Sequence, residues 1–376
     1  MTRDLIFMTI SLFTWGIGEG MFMYFHPIYL QQWGADPRII GMVYGAWGLS
    51  IMITQFPAGI LADRIGARPI LRLSWILGVF ACILMAIAGS LELFIVAIIF
   101  YGFTAFGVTP MNSYITQVRG KLTAERALTF VSGGFNSGAI IGPVLGGYIA
   151  QQSGIRQIYF IASGIFLIST LMILFIGKQP VVTDVERQSR PKLHKNPRFM
   201  ALLPLVFITV FVLYLPQPLI PNYLQNQKHL DLESIGQMGS IGNLGNAIII
   251  LGLGRFNAVY GYLIGQALVI LSMLLLWRGN QPFWYGAGYF LLGGYRLTRI
   301  MLVAFARSLI HAADVGRAFG LLETVNGTAV ILAPLAAGFM YEINPEILFS
   351  SSVFLILTIL TVNSYMMLSH WKKQVR

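Results

Sequence analysis

Long apolar stretches, separated by mostly short polar connections, run along the whole chain. A helix needs roughly 20 apolar residues to cross the hydrocarbon core of a bilayer. Because the chain contains twelve stretches of about this length, the pattern predicts an all-α membrane protein with twelve transmembrane helices. The predicted spans cover residues 5–30, 39–62, 70–89, 92–116, 127–150, 156–177, 199–224, 233–252, 257–277, 282–306, 318–341 and 346–369.

The connection at 178–198 is longer than the others, and it is polar and basic. It separates six predicted spans from six, so we interpret 1–177 and 199–376 as two six-helix halves joined by a linker. Short matches between the halves support two parallel repeats. They pair Pro27–Gln31 with Pro221–Gln225, Ile40-Gly41 with Ile235-Gly236, Arg126-Ala127 with Arg317-Ala318, Pro143 with Pro334, and Gly147 with Gly338.

Composition excludes a soluble domain, because 56% of the residues are hydrophobic and only 10% are charged. The formal net charge of +11 would suggest nucleic-acid binding only if the basic residues formed one patch. Instead, 19 of the 25 Lys and Arg fall on one side of the predicted bilayer and four on the other. This asymmetry predicts cytoplasmic termini and a cytoplasmic linker in a multi-pass protein of the inner membrane.

A charged, glycine-rich turn lies between the second and third spans. Gly59, Asp63, Arg64, Gly66 and Arg68 give the pattern G-x-L-A-D-R-x-G-x-R. It closely resembles the signature loop of the major facilitator superfamily of secondary transporters, although a basic turn with incidental glycines would look similar. The resemblance implies two pseudo-symmetric halves that alternate access to a midplane site. It also implies that Asp63 gates the cytoplasmic end rather than binding substrate.

A second motif lies in the fifth span, where the sequence reads G-x-x-x-G-P-x-x-G-G. Small residues allow another helix to approach closely, and proline lets the helix bend. Ordinary helix packing would use the same residues, but this version also resembles the antiporter motif of drug/proton exchangers. Its members are Gly138, Gly142, Pro143, Gly146 and Gly147.

The chain departs from those exchangers in the fourth span. When the glycine of their motif is aligned with Gly102, Ile98 takes the position where they usually carry an arginine. The usual proton-coupling arrangement is therefore incomplete in this chain. A second copy of the signature loop, near Gly252–Arg255, also lacks its acidic residue.

An acidic residue, Glu19, is predicted near the midplane of the first span. Ionisable groups at this depth cost ~2.5–3.5 kcal/mol each and usually face a cavity or a partner. Trp15 and His26 share its helix face, four residues before and seven residues after it. In the facilitator fold this face lines the substrate path, so Glu19 is our candidate proton-coupling group. A structural ion pair is the alternative for Glu19, and an interfacial position is the alternative for His26.

Two arginines, Arg296 and Arg299, fall inside the tenth span with the i, i+3 spacing that shares one helix face. Their charges repel, so we expect acidic partners, and Glu19 and Glu323 lie at comparable depth. The alternative is that one arginine binds an anionic substrate, because a guanidinium suits carboxylate and phosphate. We expect Glu19 and one of the arginines to face the same cavity.

Further polar and aromatic residues are predicted along the cavity. Such groups suit an amphipathic organic solute, although aromatic residues are also frequent at membrane interfaces. The residues are Tyr101, Asn112, Tyr214, Gln217 and Tyr295.

The sequence shows no phosphate-binding loop, metal-ligand cluster or nucleophile–base constellation, so we expect a transporter rather than an enzyme, without a metal or cofactor. Cys82 is the single cysteine, which excludes a disulfide framework and a cysteine metal site. Proton-coupled efflux of an amphipathic organic compound is the first hypothesis, with a small molecule, protons and the lipid bilayer as partners and a monomer as the expected state. The second is transport of an anionic solute or lipid-like anion through Arg296 or Arg299. A membrane sensor that does not transport is a remote third.

Overall fold

A computed structural model describes residues 2–177, 196–310 and 315–374. Within the helices some side chains, including that of Asp63, are outside this description. Nearly all of these residues are helical. The helices are α1 (Arg3–Met23), α2 (His26–Gln32), α3 (Pro37–Ile65), α4 (Ala67–Ile87), α5 (Leu91–Phe103), α6 (Val108–Gln117), α7 (Ala124–Ser153), α8 (Ile155–Leu174), α9 (Pro197–Tyr214), α10 (Ile220–Asn226), α11 (Leu232–Leu253), α12 (Ala258–Arg278), α13 (Pro282–Leu291), α14 (Gly293–Ser308), α15 (Val315–Ile343) and α16 (Pro345–Gln374). Most of the predicted linker lies outside the described residues.

Eleven helical stretches in the described ranges are long and apolar enough to cross a membrane. Helix α11 lies at the position of the remaining predicted span, and its glycines and amide side chains make it less apolar than the others. The helices therefore follow the twelve apolar stretches read from the sequence.

Four of the predicted spans are interrupted, and they are the first, fourth, seventh and tenth. Pro27 and Pro110 lie in the first turns of α2 and α6, and Pro218 lies in the short turn between α9 and α10. Proline is tolerated there because its missing N–H would have no partner in the first turn. Gly293 begins α14 at the fourth interruption. Broken helices at matching positions mark the binding region in transporters built from repeats.

The chain forms two compact units. The first contains Met1–Asp36, Ala46–Val185 and Gln225–Ser240, and the second contains Pro37–Gly45, Glu186–Leu224 and Ile241–Arg376. Each unit therefore includes the beginning of one helix from the other half of the sequence, α11 in the first and α3 in the second. The boundaries of the halves at 1–177 and 199–376 stay a prediction.

A buried polar network ties helices together within each unit. In the first unit, the Trp75 indole N–H donates to the hydroxyls of Ser11, at 2.9 Å, and Ser169, at 3.0 Å. In the second, the Asn363 side-chain amide donates to the Gln266 carbonyl oxygen at 2.8 Å. Hydrogen bonds of this kind join membrane helices where the hydrophobic effect does not.

Candidate functional site

The first candidate site is built around Glu19 on α1. The indole N–H of Trp15, one turn earlier, donates to the Glu19 carboxylate at 3.0 Å. Tyr101, at the end of α5, interacts with both of these side chains. Glu19 itself is only partly buried, so its carboxyl group is held by polar neighbours and still reachable.

Aromatic rings surround these polar contacts. Trp15 stacks on Phe166 with ring centroids 4.0 Å apart, and Tyr101 stacks on the same ring at 6.1 Å. Phe22 meets Tyr101 edge-on at 5.5 Å. We call Trp15, Phe22, Tyr101 and Phe166 the α1 aromatic cluster. All four side chains are buried, so the cluster is a packed apolar support next to the partly buried Glu19 carboxylate. An acidic group in apolar surroundings suits an amphipathic organic molecule.

The glycines of the antiporter-like motif place α1 directly against α7. A Cβ atom at Gly138, Gly142 or Gly146 would overlap backbone carbonyl groups of α1, and one at Gly16 would overlap the backbone of α7. Only glycine permits this approach. Most of the motif thus positions the helix that carries Glu19, while Gly147 and the Pro143 carbonyl group face the beginning of α11.

His26 is buried, with 2% of its surface exposed, although the sequence left open an interfacial position. Its Nδ1 atom lies 2.9 Å from the Tyr159 hydroxyl, and its ring stacks on that tyrosine at 5.7 Å. Phe22 and Phe94 complete the surroundings. Among the described residues its Nε2 atom has no hydrogen-bond partner.

The second candidate site lies on α14 and α15. The Arg299 guanidinium donates to the Glu323 carboxylate at 3.2 Å, and both side chains are partly exposed. Tyr295, one turn earlier on α14, interacts with the same guanidinium. The ring of Tyr214 lies 5.7 Å from that of Tyr295. Gln217 lies in the turn after α9 and donates to the Leu213 carbonyl at 2.8 Å.

Arg296 differs from its neighbour, because it is exposed and no acidic side chain in the described residues pairs with it. Asn112, on α6, is also exposed. Glu19 belongs to the first unit and both arginines belong to the second. The predicted pairing between them stays a prediction.

The signature loop covers the end of α3 and the beginning of α4. Gly66 precedes α4 with φ at 84°, in the left-handed region that favours glycine. Arg64 is exposed, while the Nε atom of Arg68 is buried. Gly59 lies against a side chain of α6, and the Asp63 side chain lies outside the described part of the chain.

Sequence reasoning missed two residues. Phe166 on α8 packs against the face that carries Glu19, and its ring also covers Gly18. No local signal marks it, because Phe166 is one of several apolar residues in the middle of α8. Asn326 lies three residues after Glu323 on α15, is 1% exposed and has neither amide atom hydrogen-bonded in the described structure. The sequence signal for Asn326 was an amide side chain in the middle of a predicted span.

The family model of the Major Facilitator Superfamily matches residues 8–295. The chain belongs to the Major Facilitator Superfamily. The prediction of the family and of its all-α membrane fold is therefore confirmed, as is the prediction that the protein is a transporter rather than an enzyme. Within the described residues, no group of three His, Cys, Asp or Glu side chains could hold a metal ion.

Curated relatives and solved structures agree with this assignment. The chain is 25% identical to the multidrug resistance protein MdtG of Citrobacter koseri, over 89% of this chain and 87% of that protein. It is 22% identical to the quinolone resistance protein NorA of Staphylococcus aureus, over 92% of each. The crystal structure of a mutant of the nucleoside transporter NupG superposes with a TM-score of 0.84 at 17% identity, covering 96% of this chain and 99% of that one.

Proposed function

We propose that this transporter exports amphipathic organic compounds across the inner membrane in exchange for protons, with both termini in the cytoplasm. The observation that carries the proposal is the Glu19 carboxylate, held by the Trp15 indole N–H beside the α1 aromatic cluster. The multidrug and quinolone resistance proteins that it resembles support the same substrate class.

Glu19 is proposed to gain and lose one proton in each cycle. As a carboxylate it accepts a charge-assisted hydrogen bond from Trp15, worth ~1.5–3 kcal/mol, against ~0.5–1.5 kcal/mol for a neutral acceptor. Protonation therefore loosens the contact between the acid and the indole ring. The substrate competes with the proton for the partly buried Glu19 carboxylate, so proton binding and substrate binding become coupled at this residue.

The proposal is tested with the purified full-length protein in proteoliposomes. A fluoroquinolone, an aromatic cationic dye and a nucleoside are offered under an imposed pH gradient. We expect gradient-dependent accumulation of the first two, abolished when a protonophore collapses the gradient. Accumulation that does not depend on the pH gradient would reject proton coupling. Accumulation of the nucleoside alone would reject amphipathic organic compounds as the substrate class.

Arg296 favours a second candidate function, the transport of an anionic solute. An exposed guanidinium without an acidic partner in the described residues can bind a carboxylate or phosphate in bidentate fashion. The neighbouring Arg299 is already paired with Glu323, so the two arginines would have different roles.

Replacing Arg296 with Gln distinguishes this candidate. If an anion binds there, we expect KM for an anionic probe to rise about tenfold or more, because charge-assisted hydrogen bonds are lost. Uptake of the cationic dye should not change. Arg307→Gln, near the end of the same helix, is the matched control, since Arg307 donates to the Ile310 carbonyl. An equal response in both variants would contradict a site at Arg296.

A further inference from the structure

Arg72, in the second turn of α4, lies at the end of the first unit where α1 begins. Its guanidinium donates to the carbonyl oxygen of Leu174, the last residue of α8. No carboxylate in the described residues pairs with this guanidinium, and its Nε–H is buried there without an acceptor. A buried N–H is usually paired with protein, water or a bound ion, so the contacts of Arg72 are incomplete.

Arg3, at the beginning of α1, is a second cation at the same place. Its guanidinium lies over the Phe7 ring, 5.2 Å from the centroid, and Phe7 stacks on Phe175 at 5.6 Å. Arg3 is exposed, and no acid in the described part of the chain pairs with it. Because Phe175 directly follows Leu174, Arg3 and Arg72 both lie beside the end of α8, one on α1 and the other on α4.

The acidic side chain next to these cations, Asp4, is held by neutral groups. Its carboxylate accepts the Tyr114 hydroxyl and the Gly177 N–H, each at 3.1 Å. Arg68, one turn before Arg72 on α4, adds a further positive charge close to Arg72. An excess of positive charge therefore remains among the described side chains at the end of α8.

Apolar side chains are exposed beside this charge. Leu73, Ile76 and Phe80 on α4 are about half exposed, as is Phe175 after α8. The three residues of α4 share one helix face by their spacing, and we call them the α4 apolar stripe. Two guanidinium groups next to such a stripe match both parts of an anionic phospholipid, the phosphate of its headgroup and its acyl chains.

We propose that Arg3 and Arg72 bind the headgroup phosphate of one anionic phospholipid at the end of α8, with the acyl chains along the α4 apolar stripe. Guanidinium groups bind phosphate oxygen atoms in bidentate fashion, and basic pockets between membrane helices bind acidic headgroups. The bound lipid joins α1, α4 and α8. The corresponding helix of the second half, α12, has no Lys or Arg before Arg278, so its sequence offers no second copy of Arg72. The proposal holds for any substrate or coupling ion.

The site is tested by native mass spectrometry of the purified full-length protein, with phosphatidylglycerol and phosphatidylcholine offered in equal amounts. We expect one phosphatidylglycerol to be retained in preference to phosphatidylcholine. Arg3→Gln and Arg72→Gln should each weaken its retention about fivefold, because each removes one cation near an acidic headgroup. Raising the salt concentration should also weaken its retention by the native protein.

Arg255→Gln is the matched control for these variants. Arg255 is exposed beside the half-exposed Phe256 in the second unit, and the charge pattern predicts it on the same side of the membrane as Arg3. It is the only basic residue of the turn between α11 and α12. Arg255→Gln should therefore retain phosphatidylglycerol as the native protein does.

Arg72 also holds the end of α8, so further variants separate lipid binding from folding. Arg72→Lys keeps the charge and a donor for the Leu174 carbonyl, so it should retain more lipid than Arg72→Gln. Arg3 is exposed, and its variants decide the case if Arg72→Gln does not fold. Arg3→Glu should weaken retention more than Arg3→Gln, because it repels the phosphate.

Thermal unfolding in detergent distinguishes a lipid from a free anion. Phosphatidylglycerol should raise the unfolding temperature of the native protein, because a ligand of the folded state stabilises it. Inorganic phosphate at the same concentration should not, because it makes no contact with the α4 apolar stripe.

Four outcomes would overturn the proposal. They are equal retention of the two lipids, equal losses in Arg3→Gln and Arg255→Gln, and equal stabilisation by inorganic phosphate and phosphatidylglycerol. The fourth is selective retention that appears only after Asp184→Asn is combined with Glu186→Gln, which would assign the site to acidic residues of the predicted linker.

Discussion

Glu19→Gln should abolish the accumulation of substrate against its concentration gradient. Exchange of substrate across the membrane in the absence of a pH gradient should remain. Glutamine keeps an oxygen that can accept the Trp15 N–H, so the local packing on the α1 aromatic cluster survives. It cannot carry a proton, so the coupling step is lost. We expect gradient-driven accumulation to fall at least about tenfold, measured in proteoliposomes with a fluoroquinolone probe.

Two controls separate coupling from folding in this experiment. Glu92→Gln changes an exposed acid in the first turn of α5 and should leave transport intact. Trp15→Phe keeps an aromatic ring but removes the N–H donor, so it should alter the pH dependence of transport without abolishing it. If Glu19→Gln still accumulates substrate with the native response to pH, the proposed role of Glu19 is wrong.

Of the neighbours of Glu19, some could be predicted from the sequence and others could not. The four-residue spacing placed Trp15 on the same helix face, and the structure joins the two side chains by a hydrogen bond. Phe166 could not be found in this way, because its contact with Trp15 crosses from α1 to α8 and depends on how the helices pack. Periodicity within one helix carries no information about such a partner.

The fold was easier to predict than its interruptions. Apolar length located the spans, and the repeated prolines and glycines indicated two related halves. The breaks between α5 and α6 and between α13 and α14 fall within continuous apolar stretches, so hydropathy could not reveal them. Pro110 and Gly293 permit a break at those places but do not require one.

The motif of α7 illustrates the same limit. Its small residues predicted close packing, but five residues on one helix cannot all face the same neighbour. The structure divides them. Gly138, Gly142 and Gly146 lie against α1, Gly147 lies against the beginning of α11, and Pro143 contacts both, with its ring against α1 and its carbonyl group against α11. A substitution in each group should therefore have a different consequence.

Gly142→Ala should destabilise the folded protein by about 3 kcal/mol, because overpacking in a tight contact forces the backbones apart. Its Cβ would overlap the Ile17 carbonyl and lie 2.8 Å from the Gly20 Cα atom, and neither belongs to a flexible side chain. The displaced helix is α1, which carries Glu19, so transport should fall as well. Thermal or denaturant unfolding of the detergent-purified protein measures the loss of stability.

Two variants on the same helix complete the experiment. At Gly133 a Cβ would meet nothing within 4 Å, so Gly133→Ala should keep the native stability or raise it by up to ~1 kcal/mol, since alanine favours helix. Gly147→Ala should cost less stability than Gly142→Ala, because its Cβ would meet the beginning of α11 while the contact of α7 with α1 stays intact. Equal stabilities for Gly142→Ala and Gly133→Ala would show that the α1–α7 contact tolerates a side chain, and that the motif does not position Glu19.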